Sequence, residues 1–221
     1  MGKTAIVAGA TGLIGIQLVK SLLENPNYGK VIALTRSKLP LEHTKLIQVL
    51  TNYEDLEPAI QQDLAGSDLF CALGTTIKKA KSKEQFRKVD FEYPMKLGRL
   101  ALAYQAANFL IVSSMGADAK SRIFYTQVKG QVEEGLEQLK LPALHIFHPS
   151  LLLGDRQEAR MGERIGSALS IVVSPLMVGG LRKYKPIQAE VVAKGMIEAA
   201  KLGNKGIHRY EYEQIAELAN R

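Results

Sequence analysis

The sequence has a single cysteine, Cys71, among 221 residues, and it contains no hydrophobic run long enough to cross a bilayer. One cysteine cannot form an internal disulfide. The apolar segment near the amino terminus is short and ends in a glycine-rich turn, so we expect no signal peptide. These absences favour a reducing compartment, and we expect a cytoplasmic protein with no membrane partner.

Several catalytic motifs are also missing. The sequence lacks the Gly-x-Ser-x-Gly motif of α/β-hydrolases and the phosphate-loop lysine motif of nucleotide triphosphatases, which argues against both classes. Its four histidines are scattered and, with one cysteine, offer no metal-ligand spacing, so we predict no metal site. These histidines are His43, His145, His148 and His208. We expect His148, at a predicted strand end, to be hydrogen-bonded within the protein rather than to act at the active site.

Acidic residues are scarce in one segment of the chain. The net charge is +7, and residues 78–88 contain six basic residues but only one acidic residue, Glu84. A local basic loop is typical of a solvated face, while an anionic substrate and an anionic partner are the alternatives. Nucleic-acid binding is the least favoured explanation of this charge.

A glycine-rich turn follows the apolar run at residues 5–8 and precedes a helical pattern. Gly9 permits the turn, Gly12 lets the backbone approach a pyrophosphate, and Gly15 lets the helix pack close to the strand. The helix start adds unpaired N–H groups and a positive dipole end, which favour a bound phosphate. An ordinary turn is the alternative, but the GxxGxxG spacing favours a dinucleotide site of the short-chain dehydrogenase type.

Apolar strands alternate with helical patterns along the chain, and no linker or repeat interrupts them. This order predicts an α/β protein with a doubly wound parallel sheet, the Rossmann architecture, in one domain over residues 1–221. We assign residues 1–150 to the cofactor-binding core and 151–221 to a small C-terminal portion that covers the substrate side. Strands are predicted at 5–8, 31–34, 46–50, 68–73, 109–112 and 144–147, and helices at 13–24, 56–64, 83–107 (with a kink or break at Pro94), 122–140, 189–202 and 212–219.

The end of the second predicted strand, where the adenosine ribose should lie, distinguishes NAD from NADP. NAD favours an acidic residue there, whereas residues 35–38 read Thr-Arg-Ser-Lys. A guanidinium, a hydroxyl and an ammonium suit a 2′-phosphate and no carboxylate repels it, so we predict NADP. Asn52 either faces the adenine or serves as a turn residue. The backbone at Leu73 and Gly74, where the fourth strand ends, is expected to lie against the cofactor.

Tyr125 and Lys129 lie four residues apart on a predicted helix, so their side chains share one face. An adjacent ammonium favours the phenolate, which lets Tyr125 exchange a proton with a carbonyl or alcohol oxygen while Lys129 also reaches the nicotinamide ribose. The preceding strand ends in Ser113 and Ser114. One of these hydroxyls is predicted to orient the substrate oxygen, and we choose Ser114; a strand-end cap is the alternative for both.

Together these motifs resemble the short-chain dehydrogenase/reductase superfamily, and four segments resemble its atypical branch. The resemblance implies a Rossmann fold, NADPH as cofactor, Tyr125 as proton carrier with Lys129 as its partner, and a possible protein partner. The segments are Cys71-Ala72-Leu73-Gly74-Thr75-Thr76, Val112-Ser113-Ser114-Met115-Gly116-Ala117-Asp118, Tyr125-Thr126-Gln127-Val128-Lys129-Gly130-Gln131-Val132-Glu133 and Asp155-Arg156-Gln157-Glu158.

The same resemblance implies a set of cofactor contacts and shows two departures. His148-Pro149-Ser150 stands where the family tends to have Arg-Pro-Gly, and Asn52 replaces a usual acidic residue. Positions that match cofactor contacts are Thr11, Leu13, Ile14, Arg36, Ser37, Leu73, Gly74, Leu152 and Arg160.

Two functions follow as hypotheses. The first is an NADPH-dependent oxidoreductase that transfers hydride to or from a carbonyl or alcohol, with Tyr125 as proton donor or acceptor. The alternative is an NADPH-binding, redox-sensing regulatory protein with little or no catalysis. Both a monomer and a homodimer fit the sequence, because a helix face used for dimerisation resembles one used for core packing.

Overall fold

The computed structural model describes residues 2–153 and 185–221. The strands are β1 (Lys3–Ala8), β2 (Tyr28–Thr35), β3 (Leu46–Leu50), β4 (Asp68–Cys71), β5 (Asn108–Val112), β6 (Ala143–Phe147), β7 (Leu152–Leu153), β8 (Ile187–Gln188) and β9 (Gly206–Tyr210). A seven-stranded sheet has the order β3-β2-β1-β4-β5-β6-β9, and all its neighbouring strands are parallel. Strands β7 and β8 form a separate parallel pair.

Helices cover both faces of the main sheet. They are α1 (Leu13–Glu24), α2 (Glu57–Leu64), α3 (Ile77–Ala80), α4 (Lys83–Arg87), a π-helical turn (Lys88–Glu92), α5 (Tyr93–Ala103), α6 (Phe124–Gln138), α7 (Ala189–Lys201) and α8 (Tyr212–Ala219). One core lies between the sheet and α1, α7 and α8, and a second lies between the sheet and α2, α5 and α6. The predicted doubly wound α/β Rossmann fold is therefore confirmed.

The central strands are apolar without alternation because both of their faces are covered. In β1, Ala5, Ile6, Val7 and Ala8 are all fully buried, and they alternate between the two cores. Strand order reverses between β1 and β4, which opens a crevice at the carboxyl ends of these strands. Ligands of such sheets bind in this crevice, so the candidate site lies here.

The predicted interruption near Pro94 takes the form of a π-helical turn. Residues Lys88–Glu92 form this wider turn between α4 and α5, and Pro94 lies in the first turn of α5. Proline has no N–H to donate, and its ring crowds the carbonyl four residues earlier, that of Asp90. The widened turn accommodates this loss and carries Asp90 into the interior, where it is 1% exposed.

The last strand of the main sheet, β9, was not among the predicted strands. It is an edge strand whose first residues are largely exposed, so it lacks the apolar run that marks the buried strands. Strand β4 ends at Cys71 rather than at 73. Residues 189–219 cover and extend the main sheet, whereas the predicted substrate-side elements between 154 and 184 lie outside the described residues.

Candidate active site

The glycine turn joins β1 to α1 at the crevice. Gly9 has a φ of +80°, which favours glycine, and its carbonyl accepts a 2.8 Å hydrogen bond from the Gly12 N–H. A Cβ on Gly15 would lie 2.1 Å from the Gly9 oxygen, so only glycine lets α1 pack this close to the turn. The three glycines therefore fix where the start of α1 lies relative to β1.

The start of α1 fits an anionic group. Within the described residues, no side chain caps this end, and the first turn of α1 contains no acidic residue. Thr11 is exposed and Leu13 is half-buried, whereas the Ile14 side chain is 5% exposed and packs in the core. Ile14 can thus contact a ligand only through its backbone. Free N–H groups at the positive end of a helix suit the pyrophosphate of a dinucleotide.

Arg36 and Ser37 are exposed immediately after β2. The Thr35 hydroxyl shapes this turn, since it donates to the Ser37 carbonyl at 2.6 Å. Asn52, after β3, accepts the Glu54 N–H at 3.0 Å, which is the turn role that the sequence allowed for it. The crevice rim at this point therefore presents a cation and a hydroxyl.

Tyr53 connects two strand ends and was not singled out from the sequence. Its hydroxyl accepts the Gly9 N–H at 2.9 Å and donates to the Leu34 carbonyl at 2.9 Å. Burial raises the pKa of Tyr53 to about 12, although the Gly9 N–H and the Arg36 charge act in the opposite direction. The phenol therefore stays protonated and holds the glycine turn against the end of β2.

Lys129 lies inside the protein beside a carboxylate. Its Nζ is 2.8 Å from Asp90 Oδ1, and the two side chains are 6% and 0% exposed. Burial lowers the pKa of Lys129, but the charges of Asp90 and Tyr125 outweigh it, so the pKa lies above its usual value. Lys129 is thus a buried, charged ammonium, and its pKa is affected by the charge of Tyr125.

Asp90 is held by the loop after β4. Its Oδ2 accepts the Thr75 N–H at 2.9 Å. A Cβ on Gly74 would lie 3.7 Å from Asp90 Oδ1 and 4.0 Å from Lys129 Nζ, so the predicted Gly74 contact borders this pair. Asp90 was not predicted from the sequence, because its orientation depends on the π-helical turn.

Tyr125 lies in the first turn of α6, one turn before Lys129. It is half-buried, and its ring centroid is 5.8 Å from that of Phe86. The loop after β5 reaches this part of α6, because the Asp118 N–H donates to the Thr126 carbonyl at 3.1 Å. This contact connects the serine-bearing strand end with the helix that carries Tyr125 and Lys129.

The two serines after β5 differ in their surroundings. The buried Ser113 hydroxyl donates to Glu133 Oε1, and His148 Nε2 lies 3.0 Å from the same oxygen. Ser114 Oγ is buried and finds no hydrogen-bond partner among residues 2–153 and 185–221. Ser113 is therefore occupied within the protein, whereas Ser114 retains its full hydrogen-bonding capacity.

Glu133 was also missed, although its spacing offered a signal. It lies four residues after Lys129 and eight after Tyr125, so all three share one face of α6. The hydrogen bond from His148 is what we expected of a strand-end histidine. His148 begins the His148-Pro149-Ser150 segment that departs from the family pattern, so this departure makes a contact within the protein.

Of the remaining predicted cofactor contacts, Leu73 and Leu152 lie within the described residues. Leu73 is half-buried against the core below α5 and α6, and Leu152 in β7 pairs with Ile187. Arg160 lies outside the described residues.

The basic segment 78–88 forms α3, α4 and the start of the π-helical turn. Three of its basic side chains contact other residues of the protein, and such local contacts are compatible with a solvated face. Lys83 lies over the Phe124 ring, Arg87 donates to Gln131, and Lys88 pairs with Glu54.

In the described ranges, no three His, Cys, Asp or Glu side chains are grouped to hold a metal ion. None of the described helices has the length and apolarity needed to cross a membrane. A cavity of about 320 Å³ opens at the amino edge of the sheet, bordered by Lys3, Gln105 and Lys205, away from the candidate site.

Comparison with known proteins gives a family match and close relatives. The model of the NAD dependent epimerase/dehydratase family matches residues 5–205. Protein HTATIP2 of Rattus norvegicus is 40% identical over 167 residues, which cover 73% of this chain and 67% of that protein. Protein FMP52-1, mitochondrial, of Scheffersomyces stipitis is 32% identical over 222 residues, with 97% and 98% covered.

Solved structures share the fold at low sequence identity. The Bordetella bronchiseptica enzyme WbmH in complex with NAD+ has a TM-score of 0.72 at 15% identity, over 100% of this chain and 79% of that chain. MoeE5 in complex with UDP-glucose and NAD has a TM-score of 0.70 at 13% identity, over 99% and 81%. At these identities the likeness concerns the fold.

Proposed function

We propose that this chain, which belongs to the NAD-dependent epimerase/dehydratase family, is an NADPH-dependent oxidoreductase of the short-chain dehydrogenase type. The substrate class is a carbonyl compound or the corresponding alcohol. The observation that carries the proposal is the Tyr125 and Lys129 pair on α6, whose lysine is buried, charged and adjacent to the Gly74 loop at the crevice.

The catalytic roles follow from the chemistry of three side chains. Tyr125 donates a proton to the substrate oxygen during reduction and accepts one during oxidation. Lys129 supplies a positive charge that lowers the cost of the phenolate. Ser114 donates a hydrogen bond to the substrate oxygen; its hydroxyl has no partner in the described part of the chain, which supports this choice over Ser113.

The proposed cofactor contacts follow the carboxyl ends of the strands. Bound NADPH supplies the hydride that reduces the carbonyl carbon. The start of α1 holds the pyrophosphate, Arg36 and Ser37 hold the 2′-phosphate, and the β4 loop faces the nicotinamide half. The residues assigned to the cofactor are Gly9, Thr11, Gly12, Leu13, Ile14, Gly15, Arg36, Ser37, Leu73, Gly74, Tyr125, Lys129, Leu152 and Arg160.

We further propose a single domain in which part of 151–221 completes the substrate side, and a cytoplasmic location. The free, buried Cys71 is compatible with a reducing compartment. Because a fungal relative is named mitochondrial, cell fractionation is the appropriate test: recovery of the protein with mitochondria would contradict the cytoplasmic location.

The oxidoreductase proposal is tested by measuring turnover with NADPH on a panel of aldehydes, ketones and nucleotide sugars. Nucleotide sugars are included because the structure of MoeE5 was solved with UDP-glucose. Wild type should oxidise NADPH with at least one substrate. Tyr125→Phe should still bind NADPH but lose about 100-fold or more in turnover, because it can no longer transfer the proton. Full turnover by Tyr125→Phe would contradict the assignment. NADPH binding without any turnover, together with partner binding that responds to NADPH, would favour the redox-sensing function.

A further inference from the structure

We propose that the basic segment 78–88 forms a specificity surface of the candidate site. Lys83, held beside the turn that carries Tyr125, and the neighbouring cations select a carbonyl compound that bears a negatively charged group on an apolar chain. This inference rests on the proposed function, because it names the substrate class of the same site. The charge preference can also be measured by binding alone, without turnover.

The basic segment packs directly on the helix turn that carries Tyr125. The ring centroid of Phe86, in α4, lies 5.8 Å from that of Tyr125 and 5.5 Å from that of Phe124. Phe86 is fully buried and forms a small core with Ala80 of α3 and Val128 of α6. Helices α3 and α4 are thereby fixed against the first turn of α6.

Lys83 places a cation at this contact. Its Nζ lies 5.3 Å from the centre of the Phe124 ring, in a cation–π contact. Phe124 directly precedes Tyr125 in the chain, and both rings pack against Phe86. The Lys83 ammonium is therefore held on the neighbour of the proposed proton donor.

Both elements of this contact leave the sheet at its carboxyl edge. The chain passes from β4 to α3 and α4, and from β5 to α6. Strands β4 and β5 are parallel neighbours, so the two connections open side by side at the edge where ligands of such sheets bind. The basic segment thus forms a wall of the crevice on the Tyr125 side.

The outer surface of this wall is both cationic and apolar. Lys78, Lys81 and Lys83 are exposed. Ile77, at the start of α3, is 47% exposed, and Ile123, just before α6, is 66% exposed. The lysines attract an anionic group, while the isoleucines offer contact to a carbon chain.

Acidic residues offset only part of this charge. Glu84 is the one acidic residue of the basic segment, and hydrogen bonds with its own N–H and with Ser82 lower the pKa of its carboxyl. Asp118 precedes two further exposed cations, Lys120 and Arg122, and its Oδ1 accepts the Lys120 N–H at 2.8 Å. Positive charge therefore remains in excess on this side of the crevice.

The test compares two substrates that differ only in charge. Reduction of 8-oxooctanoate and of its neutral methyl ester is measured with NADPH, and the ratio of their kcat/KM values is the readout. Wild type should favour the acid by about tenfold, since several exposed cations each contribute a modest factor. The ratio should fall as salt is added, because screening weakens contacts between exposed charges.

Substitutions assign the preference to the basic segment. Lys83→Gln should lower the ratio about threefold, and the combined variant Lys78→Gln, Lys81→Gln, Lys83→Gln should bring it close to one. Lys83→Arg keeps the cation and should keep the ratio. The matched control is Lys88→Gln, which removes a cation of the same segment that is paired with Glu54; this variant should show the wild-type ratio.

A wild-type ratio of about one, or a ratio that the combined variant leaves unchanged, would overturn the inference and leave the segment as a solvated face. If neither substrate is turned over, the proposed function is contradicted and binding decides. Calorimetric titrations with 8-hydroxyoctanoate and its methyl ester are then made in the presence of NADPH. Tighter binding of the acid that is lost in the combined variant would support the specificity surface, whereas equal binding or none would overturn it.

Discussion

The Ser113 hydroxyl donates a hydrogen bond to the Glu133 carboxylate, from the end of β5 to α6. His148, after β6, contacts the same carboxylate oxygen at 3.0 Å. Glu133 therefore ties the helix that carries Tyr125 and Lys129 to the ends of two strands. The neighbouring Ser114 takes no part in this connection, so the two adjacent serines differ in their contacts.

Substitution of each serine should separate these roles. Ser114→Ala removes a donor that has no partner among residues 2–153 and 185–221, so stability should be unchanged while kcat for carbonyl reduction falls about 100-fold. Urea unfolding and steady-state kinetics measure both quantities. Ser113→Ala is the matched control: it should lose about 1–3 kcal/mol of unfolding free energy because Glu133 loses a buried donor. The reverse pattern would assign catalysis to Ser113.

Glu133→Gln should destabilise the protein by about 1–3 kcal/mol, because a buried carboxylate loses its charge-assisted hydrogen bonds. The control is Glu137→Gln, one turn further along α6, where a more exposed carboxylate pairs with Arg209. That change should cost less than about 1 kcal/mol. Urea unfolding of both variants is the measurement, and equal losses would show that Glu133 has no special structural role.

Tyr53→Phe should weaken NADPH binding as well as stability. The substitution leaves the Gly9 N–H and the Leu34 carbonyl without their common partner, at a cost of about 1–3 kcal/mol. The glycine turn then loses its support against β2. Calorimetric titration with NADPH measures the effect. The control is Tyr104→Phe, which removes a hydroxyl that is hydrogen-bonded to Glu57 and should bind NADPH normally. Unchanged affinity in Tyr53→Phe would separate the turn geometry from cofactor binding.

His145 should make the protein less stable in acid. Its ring bonds Tyr210 at 2.9 Å and contacts Asn108 at 3.2 Å, and burial lowers its pKa to about 4, with His208 adding to the effect. The unfolded chain, with a histidine pKa of about 6.5, then binds more protons between these values. Stability is therefore lost as pH falls from about 6.5 to about 4, by roughly 3 kcal/mol from this residue.

Urea unfolding at pH 7, 5 and 4 measures this dependence. His145→Gln should show a shallower loss of stability over this range than wild type. His43→Gln, at an exposed position, should retain the wild-type dependence. Parallel pH dependence of wild type and His145→Gln would contradict the assignment.

Sequence patterns predicted the elements whose residues are local and periodic. The glycine turn, α1 and the shared face of Tyr125 and Lys129 are of this kind, since each depends on neighbours within a few positions. Tyr53 could not be predicted in this way, because its φ of +69° and its contact with Gly9 arise from the tertiary structure. Asp90 depends on a π-helical turn that shifts the helical periodicity.

The most direct measurement of the central claim is calorimetric titration of NADPH and NADH into wild type and Arg36→Asp. We predict that wild type binds NADPH more tightly than NADH, and that Arg36→Asp weakens NADPH at least about tenfold while changing NADH much less. Arg99→Asp, at an exposed position on α5, should leave both affinities unchanged. Equal loss of both nucleotides in Arg36→Asp, or no binding of NADPH to wild type, would contradict the account.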